Sequence, residues 1–96
     1  MITDDDARMV AERLGLPPED VPEVQAALED IALRGQDGFE DQVLTEAYAA
    51  LRTAREGQPP SASLVRRVEV RKTLALALRQ FTTLRNFLVT YDGPTH

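Results

Sequence analysis

The chain has 96 residues, of which 43% are hydrophobic and 28% are charged, and its formal net charge is −5 at pH 7. This length predicts one domain, and the composition is that of an ordinary soluble globular protein, which excludes a disordered tail and a membrane-spanning protein. The sequence has no Cys and a single His, the last residue His96. The usual zinc ligand sets and the Ser-His or Cys-His arrangements of nucleophilic catalysis are therefore excluded.

Charge is distributed unevenly along the chain. Residues 1–60 contain 14 Asp and Glu against 5 Arg, whereas residues 61–96 contain 6 Lys and Arg against 2 Asp and Glu. Asymmetry of this kind indicates an electrostatic contact, either between the two halves of one fold or between the basic part and an anionic partner. The sequence alone leaves both interpretations open.

Residues 1–57 are predicted to form three acidic helices, the first over residues 4–14. Thr3 and Asp6 have the spacing of a capping box, and Gly15 is suited to follow the end of a helix. The next residues include Pro17 and Pro18, which cannot continue a helix because proline lacks a backbone N–H. A turn is therefore expected between the first helix and the second.

The second helix is predicted to begin at Pro22 and to end before Gly35, and the third to extend from about Phe39 to Glu56. Apolar side chains recur on one face of the third helix with a helical period. That face consists of Phe39, Val43, Ala47, Ala50 and Ala54, flanked by Leu44, Tyr48 and Leu51.

Residues 58–62 form a Pro-containing connection, which leads to a basic long helix over residues 63–91 and a frayed tail at 92–96. Apolar side chains in this helix alternate at spacings of four and three residues, as in a heptad pattern. This 70–91 seam consists of Val70, Leu74, Ala77, Phe81, Leu84, Leu88 and Tyr91.

Two short alternating stretches, residues 68–71 and 87–91, leave a β-strand alternative open. Helix-forming residues dominate between them, so one helix is favoured. At 1.5 Å per residue it would extend about 43 Å, against about 27 Å for the third helix. We therefore expect the 70–91 seam to hold a homodimer; the alternative is a break near Thr82 and Thr83.

The predicted fold is all-α, a small bundle of about four helices with a long C-terminal helix. The residues expected to close its core are apolar members of the second, third and fourth helices. They are Val24, Leu28, Ile31, Val43, Leu51, Leu74, Phe81 and Leu88.

Basic side chains of the C-terminal part form a broad basic face. They are Arg66, Arg67, Arg71, Lys72, Arg79 and Arg85. We expect them to be solvated or paired with the acidic helices, and an acidic protein surface is the next candidate partner. Nucleic acid is disfavoured because the net charge is negative and only 5% of residues are aromatic.

The acidic clusters at residues 4–6 and 37–41 offer carboxylate oxygens of the kind that bind divalent cations. The second does not match an EF-hand loop, because Leu33 and Gly35 fall where carboxylates are needed. Both clusters precede or open a predicted helix, so capping and interaction with the helix dipole explain them, with a weak cation site as the alternative. No cofactor or metal is expected.

Other motifs of function are also missing from the sequence. No glycine-rich phosphate loop is present, and a helix-turn-helix over residues 22–55 would place Glu40 and Asp41 at the phosphate backbone. A carboxylate-based metal hydrolase would need paired inward-facing acids. Its candidates, Glu12, Glu29, Glu46 and Glu69, lack the Glu-x-x-Glu or Glu-x-x-His spacing.

These observations predict a non-catalytic protein–protein interaction module, such as an adaptor, small regulatory subunit or assembly factor, that acts through helix–helix contacts. The alternative is a regulator that binds nucleic acid through its basic C-terminal helix. The protein is expected to be cytoplasmic and homodimeric, without a membrane contact.

Overall fold

The computed structural model describes residues 2–81 and 84–90. These residues form four α-helices, which we label α1 (Asp4–Arg13), α2 (Val21–Arg55), α3 (Ala62–Leu78) and α4 (Leu84–Thr90), with a short 3₁₀ turn at Pro18–Asp20. The predicted all-α class and small four-helix bundle are confirmed. The β-strand alternative for residues 68–71 and 87–90 is wrong, because both stretches are helical.

Helix α1 begins at the predicted capping box. The Asp6 N–H donates to Thr3 Oγ1 at 3.1 Å, and the Thr3 N–H donates to Asp6 Oδ2 at 3.1 Å. Two backbone donors that the helix cannot satisfy internally are thus paired by side chains. The chain leaves α1 through Gly15 at φ 75°, as the sequence predicted.

Helix α2 contains both the second and the third predicted helices. They meet at Gly35, whose φ of 82° and ψ of 167° are not helical. A straight helix of 35 residues would be about 52 Å long, whereas the longest dimension of the molecule is 43 Å. We therefore treat α2 as two segments, α2a (residues 21–34) and α2b (residues 36–55), which bend relative to each other at Gly35.

The predicted long C-terminal helix over residues 63–91 is wrong. The chain leaves helical geometry after Leu78, whose carbonyl accepts a hydrogen bond from Gln36 Nε2 at 3.1 Å, and resumes as α4. Phe81 and Phe87 then pack edge to face with ring centroids 5.4 Å apart. The break turns Phe87, which is fully buried, into the core. The longest helix is α2, and residues 91–96 lie outside the described residues.

The core joins α1, α2a, the start of α2b, the second half of α3, and α4. Its largest fully buried side chains are Phe39, Phe87, Leu28, Leu74, Leu78, Val10, Val24 and Val70. Of the predicted core, Val24, Leu28, Ile31, Val43 and Leu74 are buried, while Phe81 and Leu88 are half-buried against it. Leu51 is 58% exposed, so its placement in the core is wrong.

The remainder of α2b and the start of α3 form a helical hairpin that extends beyond this core. Gly57, at φ 80°, ends α2b, and the Ser61 side chain accepts a hydrogen bond from the Leu64 N–H at 3.1 Å at the start of α3. Within residues 2–81 and 84–90, every helix is too short or too polar to cross a lipid bilayer.

The bend at Gly35 generates the first prediction. Its backbone lies in a region that only glycine adopts without strain, and a Cβ there would meet nothing within 4 Å. Gly35→Ala should therefore destabilise the protein by about 1–3 kcal/mol through backbone strain alone. Urea unfolding measures this loss, and a decrease smaller than about 0.5 kcal/mol would contradict the bend.

Candidate partner-binding groove

The acidic and basic halves of the chain meet inside the fold. Arg66, Arg67, Arg71 and Arg79, four members of the predicted basic face, form ion pairs with acidic residues that precede α3 in the chain. The charge asymmetry of the sequence is therefore expressed as intramolecular pairing, the interpretation that the sequence favoured for these arginines.

Arg71 is the buried member of this set, with only 3% of its surface exposed. Its Nη1 lies 2.8 Å from Asp30 Oδ2 and its Nε lies 3.5 Å from Glu23 Oε1, both on α2a. Its guanidinium carbon also lies 5.8 Å from the centroid of the Phe39 ring. One buried cation thus ties α3 to α2a and to the start of α2b.

The pKa values in this cluster follow from the pairing. The hydrogen bond from Arg71 lowers the pKa of Asp30, against the opposing effect of desolvation. Desolvation opposes the charge on Arg71, but hydrogen bonding to Asp30 and the charge on Glu23 together hold the Arg71 pKa above its usual value. Both groups are therefore charged in the folded protein near neutral pH.

The other three paired arginines are more exposed. Arg66 pairs with the buried Asp20, which raises the pKa of Arg66 through a side-chain hydrogen bond. Arg67 Nε lies 3.4 Å from Glu23, and its Nη2 lies 3.3 Å from Glu46. Arg79 Nε lies 3.3 Å from Glu40.

Two members of the basic face are not paired with the chain's own carboxylates among the described residues. Lys72 and Arg85 are exposed and form no ion pair within residues 2–81 and 84–90. Because the other four members are paired, carboxylates of the same chain neutralise most of the predicted basic face.

The 70–91 seam lies against the chain's own core. Val70 and Leu74 are fully buried in α3, and Ala77, Phe81, Leu84 and Leu88 are half-buried against the same core. Tyr91 lies outside the described residues. Because the C-terminal helix breaks, the excess length that suggested a dimer through this seam does not exist.

A continuous exposed apolar surface lies elsewhere, in a groove between α2b and α3 with a volume of about 550 Å³. We call it the α2b–α3 groove. Its apolar lining includes Leu44, Ala47, Ala50, Leu51 and Ala54 from α2b, and Val65, Val68, Ala75 and Leu76 from α3. Glu40, Glu69, Lys72 and Arg79 are its charged lining residues.

The α2b wall of the groove consists mostly of residues that the sequence placed on or beside the apolar face of the third helix. Phe39 and Val43, at the start of that face, are buried as expected. Beyond them, Leu51 is 58% exposed, and Leu76 across the groove is 53% exposed. The periodicity identified the face correctly, but the sequence contains no local signal that the described part of the chain leaves the second half of this face exposed.

The acidic candidates for metal binding or catalysis are dispersed. Asp4 pairs with Arg8 at 2.9 Å, and Asp6 belongs to the capping box. Glu46 accepts hydrogen bonds from Gln42 and Arg67. Among the described residues, no group of three or more His, Asp or Glu side chains is placed to hold a metal ion.

Comparison with known protein families, with curated proteins and with solved structures gives no match for this chain. The interpretation of the groove therefore depends on its own residues.

The Arg71 cluster generates the second prediction. Arg71→Met removes the cation and leaves Glu23 and Asp30 paired only with the more exposed Arg67 and Arg34, which should cost about 3 kcal/mol because the two carboxylates lose their buried counter-charge. Arg67→Met is the matched control: its side chain is 48% exposed, and its loss should cost less than about 1 kcal/mol. Urea unfolding at pH 7 measures both.

The difference in stability between wild type and Arg71→Met should depend on pH. Because Arg71 lowers the pKa of Asp30 in the fold, the stabilisation is present above the pKa of unfolded Asp and is lost as the pH falls through the lowered value. The stability gap between wild type and Arg71→Met should therefore narrow below about pH 4. A gap that widens on acidification would contradict the pairing.

Proposed function

We propose that the protein is a non-catalytic, cytoplasmic protein–protein interaction module, an adaptor, small regulatory subunit or assembly factor, and that its α2b–α3 groove receives helices of another chain. The observation that carries the proposal is the exposure of Leu44, Leu51 and Leu76, each more than half exposed along one groove. Contiguous apolar surface edged by charged residues is typical of interaction sites.

The shape and composition of the groove suit a helical partner. Two helices form its walls, and half-buried Ala47 and Ala50 lie between exposed leucines. Small residues let a third helix approach closely, and the leucines can insert between side chains at its i, i+3 and i+4 positions. Helix–helix contact was also the mode of action predicted from the sequence.

The alternative of a nucleic-acid regulator has less support. A phosphate backbone is bound by basic side chains that are free to replace its counterions. Here Arg66, Arg67, Arg71 and Arg79 already contact carboxylates of the same chain. The same pairing reduces the basic surface on offer to an acidic protein, so the apolar groove is the stronger candidate.

The third prediction tests the groove with matched variants. Leu51→Asp places a carboxylate in the groove, whereas Leu33→Asp makes the same change at an 82% exposed position outside it. Neither side chain is buried, so both variants should fold. Tagged full-length chains would be used to capture partners, including an untagged second copy, from nuclease-treated native cells.

We expect wild type and Leu33→Asp to capture the same polypeptide. Leu51→Asp should capture about tenfold less of it, or less still, because binding would then desolvate a carboxylate. Circular dichroism verifies that all three proteins are helical. Capture that Leu51→Asp leaves intact, or that nuclease abolishes in wild type, would overturn the proposed function.

A further inference from the structure

The groove side of α3 has a self-complementary pattern. Val65, Glu69, Lys72 and Leu76 are exposed, line the groove and are separated by four, three and four residues. Consider two α3 helices packed antiparallel about a two-fold axis between residues 70 and 71. Each Val65 then lies opposite the partner's Leu76, and each Glu69 lies opposite the partner's Lys72. Apolar residues meet apolar ones, and opposite charges meet.

Helix α2b has the same kind of pattern about a point between residues 47 and 48. In an antiparallel pair centred there, Leu44 lies opposite the partner's Leu51, and Ala47 opposite the partner's Tyr48. The small Ala47 leaves room for the large exposed Tyr48 ring.

A single two-fold axis can generate both pairings only if it crosses α2b and α3 at the same level. The contacts within the hairpin provide this test. The Arg79–Glu40 and Arg67–Glu46 pairs, each at 3.3 Å, show that the two helices are antiparallel and set residues 70 and 71 level with the stretch from about residue 42 to residue 49. Residues 47 and 48 lie in this stretch, so the register of the hairpin is compatible with one axis for both helices.

The charges that the pairing needs are available. Neither Glu69 nor Lys72 forms an ion pair within the described part of the chain, although both are exposed at the groove. An isologous interface requires each surface patch to complement itself under a two-fold rotation, and this patch does so in both size and charge.

We infer that the occupant of the α2b–α3 groove is a second copy of this chain, packed so that α2b and α3 of two protomers form an antiparallel four-helix interface. The inference rests on the proposed function, because it names the partner of the same groove. It also replaces the 70–91 seam with a different surface as the site of dimerisation.

Charge variants test the pairing of Glu69 with the partner's Lys72. Glu69→Lys alone, or Lys72→Glu alone, places two like-charge contacts across the interface, and each should weaken the dimer at least about tenfold at 50 mM salt. The double variant Glu69→Lys/Lys72→Glu restores opposite charges at both contacts and should dimerise within about threefold of wild type.

An equimolar mixture of the two single variants provides a sharper test. One chain then carries two lysines and the other two glutamates at these positions, so every contact of a mixed dimer joins opposite charges. Sedimentation equilibrium at micromolar concentration should report about twice the 10.7 kDa chain mass for wild type, the double variant and the mixture. Each single variant alone should shift toward the monomer mass.

Each other outcome counts against the inference. A wild-type chain that stays monomeric at 100 µM, a dimer insensitive to the single variants, or a double variant and mixture that fail to recover would overturn it. A monomer that still captures a different polypeptide through Leu51 would leave the proposed function standing. If Leu51→Asp altered neither self-association nor capture, both would fail.

Discussion

The buried guanidinium of Arg71 is the contact on which the arrangement of the helices depends. A charge in an apolar interior is costly unless it is paired and hydrogen-bonded. Asp30 and Glu23 supply that pairing from α2a, and the Phe39 ring lies beside the guanidinium at the start of α2b. Helix α3 is thereby held against both segments of α2 at the end of the hairpin where the core lies. Part of the charge asymmetry along the sequence is explained by this contact and by the ion pairs around it.

The groove is open in the described part of the chain because α1 and α4 do not line it. Helix α1 packs on α2, and the short α4 packs near the same end, where Phe87 enters the core. The start of α3 reaches Asp20 and Glu23 through the ion pairs of Arg66 and Arg67, but the described residues that line the groove all belong to α2b, α3 and the connection between them, so its apolar side chains stay exposed. Small domains bury a limited fraction of their surface, and association with another chain is a common way to bury more. The groove is therefore the surface at which association with another chain would bury exposed apolar side chains.

Local chemistry in the sequence predicted much of the fold. The capping box at Thr3, the glycine at residue 35 and the Pro-containing connection each act within a few residues, so their effects can be deduced without knowing the tertiary structure. A break near Thr82 and Thr83 was an open alternative, but a break after Leu78 could not be predicted in this way, because it depends on which end of the bundle Phe87 can reach. Leu51 was wrongly placed in the core, and the burial of Arg71 could not be deduced, for the same reason: a helical period assigns a side chain to a face, but burial depends on what the rest of the chain packs against that face.

Covering of the α2b–α3 groove by a second copy is the central claim, and thiol labelling measures it directly. The chain contains no Cys, so Leu51→Cys and Leu33→Cys each introduce a single reactive group, one in the groove and one outside it. The account predicts that the labelling rate at residue 51 decreases as protein concentration rises through the dimerisation range, while the rate at residue 33 stays constant. Equal rates at both positions, unchanged at every concentration, would contradict it.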